Sequence, residues 1–95
     1  MNSINPAELL KQLTDQTVIV DVREPDEFAG GHVHNAINVP LSELSTQHQE
    51  IPDGAYIICQ TGMRSAMATE FLQSNDQQVT NVLGGVEAWP QPLEG

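Results

Sequence analysis

The sequence predicts an α/β domain with a mostly parallel β-sheet and helices on both of its faces. The run 17–22 is β-branched and almost continuously apolar, as a strand covered on both faces is. Strand-like and helix-like segments alternate along the chain, which indicates β-α-β units. The 95 residues contain no internal repeat or linker and suffice for one core, so residues 1–95 are expected to form a single domain.

The first helix is predicted to begin at an N-cap. Asn5 precedes Pro6, a residue favoured at the first helical position, and Glu8 is placed to reach back to the cap. Polar residues end this helix at 14–16, before the strand at 17–22. Its buried stripe is expected to consist of Leu9, Leu10 and Leu13.

The elements after the first long strand are predicted to be short. A helical turn over 26–29 is stopped by two glycines, and a brief strand over 36–39 is closed by Pro40. Apolar positions then recur with helical spacing up to the turn at 52–54, which predicts a helix. The positions that define this spacing are Leu41, Leu44, His48 and Ile51.

The second half of the chain repeats the strand, loop and helix order. A strand over 55–59 leads through a loop into a helix from 64 or 65 to about 75. A last strand over 79–83 runs into two glycines, and a short helix follows over 86–89. The long helix is expected to face the core with Ala66, Met67 and Phe71, and Leu72 is a further candidate for the same face.

The charge balance excludes several classes of partner. Only Lys11, Arg23 and Arg64 are basic, against thirteen acidic residues, and the formal net charge is -10. Nucleic acid and anionic membrane surfaces are therefore not expected partners, and a solvated acidic surface is the simplest interpretation. No apolar run is long enough to span a bilayer, and the first residues lack the pattern of a signal peptide.

A single cysteine in a chain without signal features indicates a reducing compartment, so a cytoplasmic location is predicted. The cysteine cannot form an internal disulfide. Together with three scattered histidines it offers no spacing typical of metal ligands, so no metal site is expected.

The cysteine itself is the strongest candidate for chemistry. Cys59 ends a predicted strand, at the edge where open α/β sheets bind their ligands. A tight loop before a helix aims backbone N–H groups inward, which favours a thiolate. The alternative is a buried cysteine that acts only as a small apolar residue. The loop residues that could contact a substrate are Gln60, Thr61, Gly62, Met63 and Arg64.

Three separated blocks of sequence carry a family resemblance. The first is DVREPDEFAGGHV over 21–33, continued by AINVP over 36–40. The second is CQTGMRS over 59–65, and the third is LGGVEAW over 83–89. On these blocks, which appear in the family's order, the chain resembles the single-domain rhodaneses, a family of sulfurtransferases.

The resemblance implies a rhodanese-like fold with a five-stranded, mostly parallel sheet and a two-step sulfur transfer. Cys59 would attack the outer sulfur of a donor such as thiosulfate and become a persulfide. A thiophilic acceptor, such as cyanide or a thiol, would then take that sulfur. No metal or organic cofactor is implied.

The length of the loop also distinguishes chemistries. Arg64 follows Cys59 with four residues between them, whereas similar folds that act on phosphate or arsenate use a loop one residue longer. The loop is therefore sized for sulfur. Gln60 and Thr61 stand where thiosulfate-using members are basic, so Arg64 and backbone donors would have to bind an anionic donor. Asn35 lies at a position where members of this family commonly have glycine, and asparagine tolerates a left-handed conformation.

Five further residues are expected to support the site rather than react. Arg23 is predicted to form an ion pair with Glu27 or Asp21 that fixes the loop after the central strand; direct substrate contact is the alternative. His32 is expected to make a structural hydrogen bond and not to act as the catalytic base. Ser65 closes the cysteine loop at the start of the long helix.

Two function classes remain open from the sequence. One is a catalytic sulfurtransferase or persulfide carrier, whose donor could be thiosulfate, a mercaptopyruvate-like molecule or a protein persulfide. The other is a binding module that uses the same fold and in which Cys59 is incidental. Rapid alkylation of Cys59 at neutral pH would favour the first class.

Overall fold

Five short parallel strands form the central sheet of this computed structural model, which describes residues 1–95. They lie in the order β1-β5-β4-β2-β3, and every neighbouring pair is parallel. The five-stranded parallel sheet that the family resemblance implies is thereby confirmed. The strands are β1 (Ser3–Ile4), β2 (Ile19–Asp21), β3 (Ile37–Asn38), β4 (Tyr56–Ile58) and β5 (Thr80–Val82).

The sheet separates two apolar clusters, because successive residues of a strand point to opposite faces. In β4, Ile57 belongs to one cluster and Ile58 to the other, and both are fully buried. Helices α3 (Leu44–Gln47) and α4 (Met63–Ser74) contribute to the cluster of Ile57. Helix α1 (Pro6–Gln12) and the 3-10 turn Val86–Ala88 contribute to the cluster of Ile58. Helices on both faces, as predicted, complete the architecture.

Helix α1 begins as its sequence predicts and ends earlier. The side-chain oxygen of Asn5 accepts a hydrogen bond from the Glu8 amide at 2.9 Å, and Leu9 is fully buried. The expected burial of Leu13 was wrong, because the helix ends at Gln12. Leu13 has an extended backbone and is 38% exposed.

The long helix α4 matches its predicted bounds to about one residue, but its inward face differs from the prediction. Met67 is 60% exposed and Ala66 is half-buried, while Leu72 is fully buried and Phe71 packs partly buried against the core. The buried face is Ser65, Ala68, Thr69 and Leu72. Two hydroxyl residues can lie there because each is hydrogen-bonded: Thr69 donates to the Ser65 carbonyl at 2.7 Å, and Ser65 contacts the cysteine sulfur.

The helix predicted between 41 and 51 is divided into short turns. A 3-10 turn (Leu41–Glu43), α3 and a second 3-10 turn (His48–Glu50) follow one another. The Gln77 side chain donates to the carbonyls of His48 and Ile51, at 2.7 and 3.0 Å, and so takes the place of helical donors. Leu44 and Ile51 are buried as the spacing predicts.

The loop at the carboxyl end of β2 carries helix α2 (Pro25–Ala29), none of whose residues is buried. The Glu27 carboxylate accepts the Glu24 amide at 3.0 Å, which closes the first turn. Asn35, with φ of 66°, is left-handed as predicted. None of the helices has the length and apolarity that crossing a membrane requires.

Candidate active site

Cys59 lies at the carboxyl end of β4, in the middle of the sheet. The preceding residue, Ile58, pairs with Asp21 of β2, so the two strand ends lie side by side. Cys59 is 1% exposed, and its neighbours along the loop are far more open. The thiol therefore lies at the base of a cradle formed by the following residues.

The cradle is a loop that turns its amides toward the sulfur. The Cys59 Sγ accepts hydrogen bonds from the Gly62 amide at 3.1 Å and the Ser65 amide at 3.2 Å, and the Ser65 hydroxyl lies 3.3 Å away. Gly62 has φ of 102°, and a Cβ there would come within 3.0 Å of the Gly84 nitrogen. Glycine suits this turn because the left-handed conformation strains any other residue and an added Cβ would be crowded against Gly84.

The pKa of Cys59 is lowered from its ordinary value. Burial alone would raise the pKa, but the Ser65 hydroxyl and the amides of Ser65, Gly62 and Thr61 favour the charged sulfur and outweigh it. The sulfur also faces the N-terminal end of α4, a helix of twelve residues. The site is therefore arranged for a thiolate.

A glycine pair supports the loop from behind. The amides of Val86 and Glu87 donate to the carbonyls of Cys59 and Gln60, at 2.8 and 3.1 Å, so these carbonyl oxygens point away from the sulfur. A Cβ on Gly85 would lie 2.3 Å from the Cys59 carbonyl oxygen. Gly85 is therefore packed directly against the backbone of Cys59.

Arg64 is bound by Glu27 through two hydrogen bonds of 2.7 and 2.9 Å. The hydrogen bonds and charge of Arg64, with the Glu24 amide, lower the pKa of Glu27 to about 2. In return, the hydrogen bonds from Glu27 raise the pKa of Arg64. The one cation in the cysteine loop is therefore paired within the protein.

Arg23 pairs with Asp21 rather than Glu27, which decides between the two partners that the sequence left open. The Asp21 side chain is fully buried and Arg23 is 3% exposed. Their closest contact, Nη2 to Oδ2, is 2.8 Å. Arg23 also donates to the Gly31 carbonyl at 2.7 Å and to the Gln60 side-chain oxygen at 3.2 Å. A buried ion pair thus connects β2 to the cysteine loop.

Comparison with known proteins identifies the family. The sequence model of the rhodanese-like domain family matches residues 5–91 of this chain. The chain belongs to the rhodanese-like domain family. A crystal structure of a rhodanese-like domain protein from Staphylococcus aureus is 35% identical, with a TM-score of 0.91 over 99% of this chain and 97% of that chain.

Curated relatives of this rhodanese-like domain vary in length. A protein named sulfurtransferase from Allochromatium vinosum is 32% identical over 94% of this chain and 88% of its own length. An uncharacterized Bacillus subtilis protein is 40% identical over 75% of this chain. The chain spans 59% of that protein and 50% of another Bacillus subtilis relative.

His32 of this rhodanese-like domain contacts helix α2. Its Nδ1 lies 2.9 Å from the Phe28 carbonyl oxygen, and its ring stacks on Phe28 with centroids 3.9 Å apart. These contacts hold the His32 side chain against helix α2. No three His, Cys, Asp or Glu side chains are grouped in a way that could hold a metal ion.

Asn81 is a site residue that sequence reasoning missed. It lies in β5 and is 2% exposed, and its side-chain nitrogen Nδ2 is 3.5 Å from the Gly62 carbonyl oxygen. Its side-chain oxygen has no hydrogen-bond partner. The available signal was an amide in the middle of the predicted strand over 79–83, because a buried amide usually needs hydrogen-bond partners.

Proposed function

We propose that this rhodanese-like domain is a sulfurtransferase that moves sulfane sulfur from a donor, such as thiosulfate, to a thiophilic acceptor, such as cyanide or a thiol. The observation that carries the proposal is the hydrogen bonding of the Cys59 sulfur by two amides and a hydroxyl. The family membership and the relative named sulfurtransferase support it. Neither a metal nor an organic cofactor takes part in the proposed cycle.

The first step loads the protein with sulfur. The Cys59 thiolate attacks the outer sulfur of thiosulfate, a new S–S bond forms, and the S–S bond of the donor breaks. Sulfite leaves with the bonding electron pair, and Cys59 carries a persulfide. Amide groups of the loop Gln60, Thr61, Gly62 and Met63 stabilise the negative charge on the terminal sulfur, and Arg64 contributes to binding the anion.

The second step unloads the sulfur. The acceptor attacks the terminal sulfur of the persulfide, and the Cys59 thiolate leaves. Cyanide becomes thiocyanate, whereas a thiolate becomes a persulfide. The donor product departs before the acceptor reacts, so ping-pong kinetics are expected.

The test is the intact mass of the protein after incubation with thiosulfate, before and after cyanide is added. We expect a gain of one sulfur atom that cyanide removes and that Cys59→Ser lacks, while the variant retains its fold. Turnover that persists in Cys59→Ser would eliminate the proposed nucleophile. If thiosulfate adds no sulfur, the same measurement with a persulfide donor separates a poor donor from an absent activity.

A protein-binding module is the second candidate function. The observation that favours it is the exposed apolar surface of Met63 and Met67 beside the loop. A module does not need a reactive thiolate, so its Cys59 would be alkylated no faster than free cysteine at neutral pH. The catalytic proposal requires faster alkylation. The catalytic proposal also places this single domain in a reducing compartment such as the cytoplasm, because Cys59 must be reduced to react.

A further inference from the structure

Three large apolar side chains are exposed around the cysteine loop. Met63 is 76% exposed, Met67 is 60% exposed and Leu83 is 47% exposed. Met63 and Met67 lie one turn apart on α4, and therefore on one side of the helix. A Cβ built on Gly62 would lie 3.7 Å from the carbonyl carbon of Leu83, so the backbone of this exposed residue adjoins the same loop. We refer to Met63, Met67 and Leu83 as the apolar rim.

The apolar rim has features of a binding surface. A single exposed apolar residue is ordinary, but several together beside a reactive group mark a place where another molecule is bound. Methionine is flexible and polarizable, so it adapts to the shape of a partner. Burial of these side chains against a partner would stabilise a complex in which the partner lies beside the cysteine loop.

The charged residues around the apolar rim indicate which charge a partner should carry. Each Lys and Arg of the chain is in an ion pair, Lys11 with Glu8, Arg23 with Asp21 and Arg64 with Glu27. The acidic residues near the rim have no such cation. Glu70 lies one turn beyond Met67 on α4, and the Glu87 amide is bonded to the cysteine loop. Among protein partners, this surface favours one with basic groups over one with acidic groups.

We propose that the apolar rim docks a partner protein whose cysteine persulfide, flanked by apolar and basic residues, is the sulfur donor. The inference rests on the proposed function and names its donor class. Cys59 attacks the outer sulfur of the partner's persulfide, and a new S–S bond forms. The S–S bond of the partner breaks, its cysteine leaves as a thiolate, and Cys59 becomes the persulfide. No oxidant or reductant is consumed.

The persulfide form of a cysteine fits the position of Cys59. Cys59 is 1% exposed at the base of the cradle, whereas the residues of the apolar rim are 47% to 76% exposed. The additional sulfur makes the reacting atom the outermost atom of the partner's side chain. Apolar contacts at the rim and contacts with acidic residues around it would hold that atom over the loop.

The test uses synthetic peptides that each carry one persulfidated cysteine. In the first peptide the cysteine is flanked by leucine and lysine, in the second by leucine and glutamate, and in the third by serine and lysine. Free cysteine persulfide is the small donor. The measured quantity is the second-order rate of sulfur gain on Cys59, followed by intact mass. We expect the leucine and lysine peptide to react fastest, by about tenfold over the others at low salt, with the charge preference reduced by salt.

The matched variants are Met67→Gln with Leu83→Gln, and Ile37→Gln as the control. Ile37 is 54% exposed on edge strand β3, so it offers a similar side chain away from the loop. The double variant is expected to slow transfer from the leucine and lysine peptide about tenfold while its rate with free cysteine persulfide is unchanged. The Ile37 variant should behave as the parent protein.

The outcomes separate the two proposals. If Cys59 gains sulfur from every donor at rates that neither peptide sequence nor the double variant changes, the docking surface is wrong and sulfur transfer stands. If no donor, including free cysteine persulfide, adds sulfur to Cys59, both the docking inference and the proposed function are wrong. Equal far-ultraviolet circular dichroism of the variants verifies that each is folded.

Discussion

Glu27 and Arg64, 37 residues apart in sequence, form a two-point ion pair beside the cysteine loop, with N to O distances of 2.7 and 2.9 Å. Each side chain is 34% exposed, so solvent screens the pair and its main effect is on the geometry and charge of the site. Arg64 is held at the start of α4, and its positive charge is balanced. The first prediction follows from this balance.

Glu27→Gln is expected to improve the use of thiosulfate. The amide oxygen of glutamine can still accept the Glu24 amide, but the negative charge that neutralises Arg64 is removed. We expect the Michaelis constant for thiosulfate to fall by about fivefold, since one charge near a solvent-exposed site is worth about 1 kcal/mol. Steady-state kinetics at fixed cyanide concentration measures the effect.

Arg64→Ala provides the control for that prediction. Alone it should raise the Michaelis constant for thiosulfate, and in its presence Glu27→Gln should lose most of its benefit. An unchanged constant in Arg64→Ala would show that Arg64 does not bind the donor. An equal benefit of Glu27→Gln with and without Arg64 would show that Glu27 acts only by its own charge.

Ser65→Ala is expected to weaken the thiolate. The Ser65 hydroxyl is one of the groups that lower the pKa of Cys59, so its removal should raise that pKa. The parent protein should therefore reach its full alkylation rate at a lower pH than free cysteine does, and the variant should require a higher pH. At neutral pH we expect alkylation to slow by about tenfold, as for loss of a hydrogen bond to a charged group.

The matched control is Ser74→Ala in the same helix. Ser74 is exposed at the far end of α4, where its hydroxyl donates to the Phe71 carbonyl at 2.6 Å. The pH dependence of iodoacetamide labelling should be unchanged in this variant. A Ser65→Ala profile that overlies the parent would refute the role of the hydroxyl.

Gly85→Ala is expected to damage the cysteine loop. Gly85 has φ of 61°, and an added Cβ would lie 2.3 Å from the Cys59 carbonyl oxygen and 2.6 Å from that of Gln60. Strain and overpacking together should lower the free energy of unfolding by about 2–5 kcal/mol. Urea unfolding followed by circular dichroism measures the change.

Gly54→Ala separates conformation from space. Gly54 has φ of 91°, but nothing lies within 4 Å of an added Cβ. The left-handed conformation alone should cost about 1–2 kcal/mol. If the two variants lose equal stability, the contact of Gly85 with the loop carbonyls contributes nothing.

Asp21→Asn is expected to be strongly destabilising. The change leaves Arg23, 3% exposed, without its charged partner. Removal of one member of a buried pair costs about 3–5 kcal/mol. Urea unfolding should show this loss, and alkylation of Cys59 in the folded fraction should also change because Arg23 holds the Gln60 side chain.

Glu8→Gln is the exposed counterpart. Glu8 and Lys11 are 3.9 Å apart with side chains 54% and 75% exposed, so loss of this pair should cost below about 1 kcal/mol. Similar losses in Asp21→Asn and Glu8→Gln would mean that the buried pair does not stabilise the fold more than a solvated one.

Several features of the protein could be predicted because they depend on local chemistry. The apolar run of β2, the Asn5 cap and the left-handed Asn35 follow from side-chain preferences that act over a few residues. The cysteine loop could likewise be located, since a strand end, a glycine and a helix start are adjacent in sequence. The number of strands could be predicted only from the family resemblance, because the two residues of β1 are too few to form a recognisable pattern.

The sequence by itself determined the parallel sheet, the candidate nucleophile and the length of its loop. Only the tertiary structure decided that Arg23 pairs with Asp21 and Arg64 with Glu27, that Gly85 and Asn81 contact the loop, and that Met67 faces outward. Apolar periodicity alone could not orient α4, because Ser65 and Thr69 become suitable core residues only when their hydroxyls find partners. Ion pairs and close packing join residues distant in sequence, so they depend on how the chain is folded rather than on local pattern.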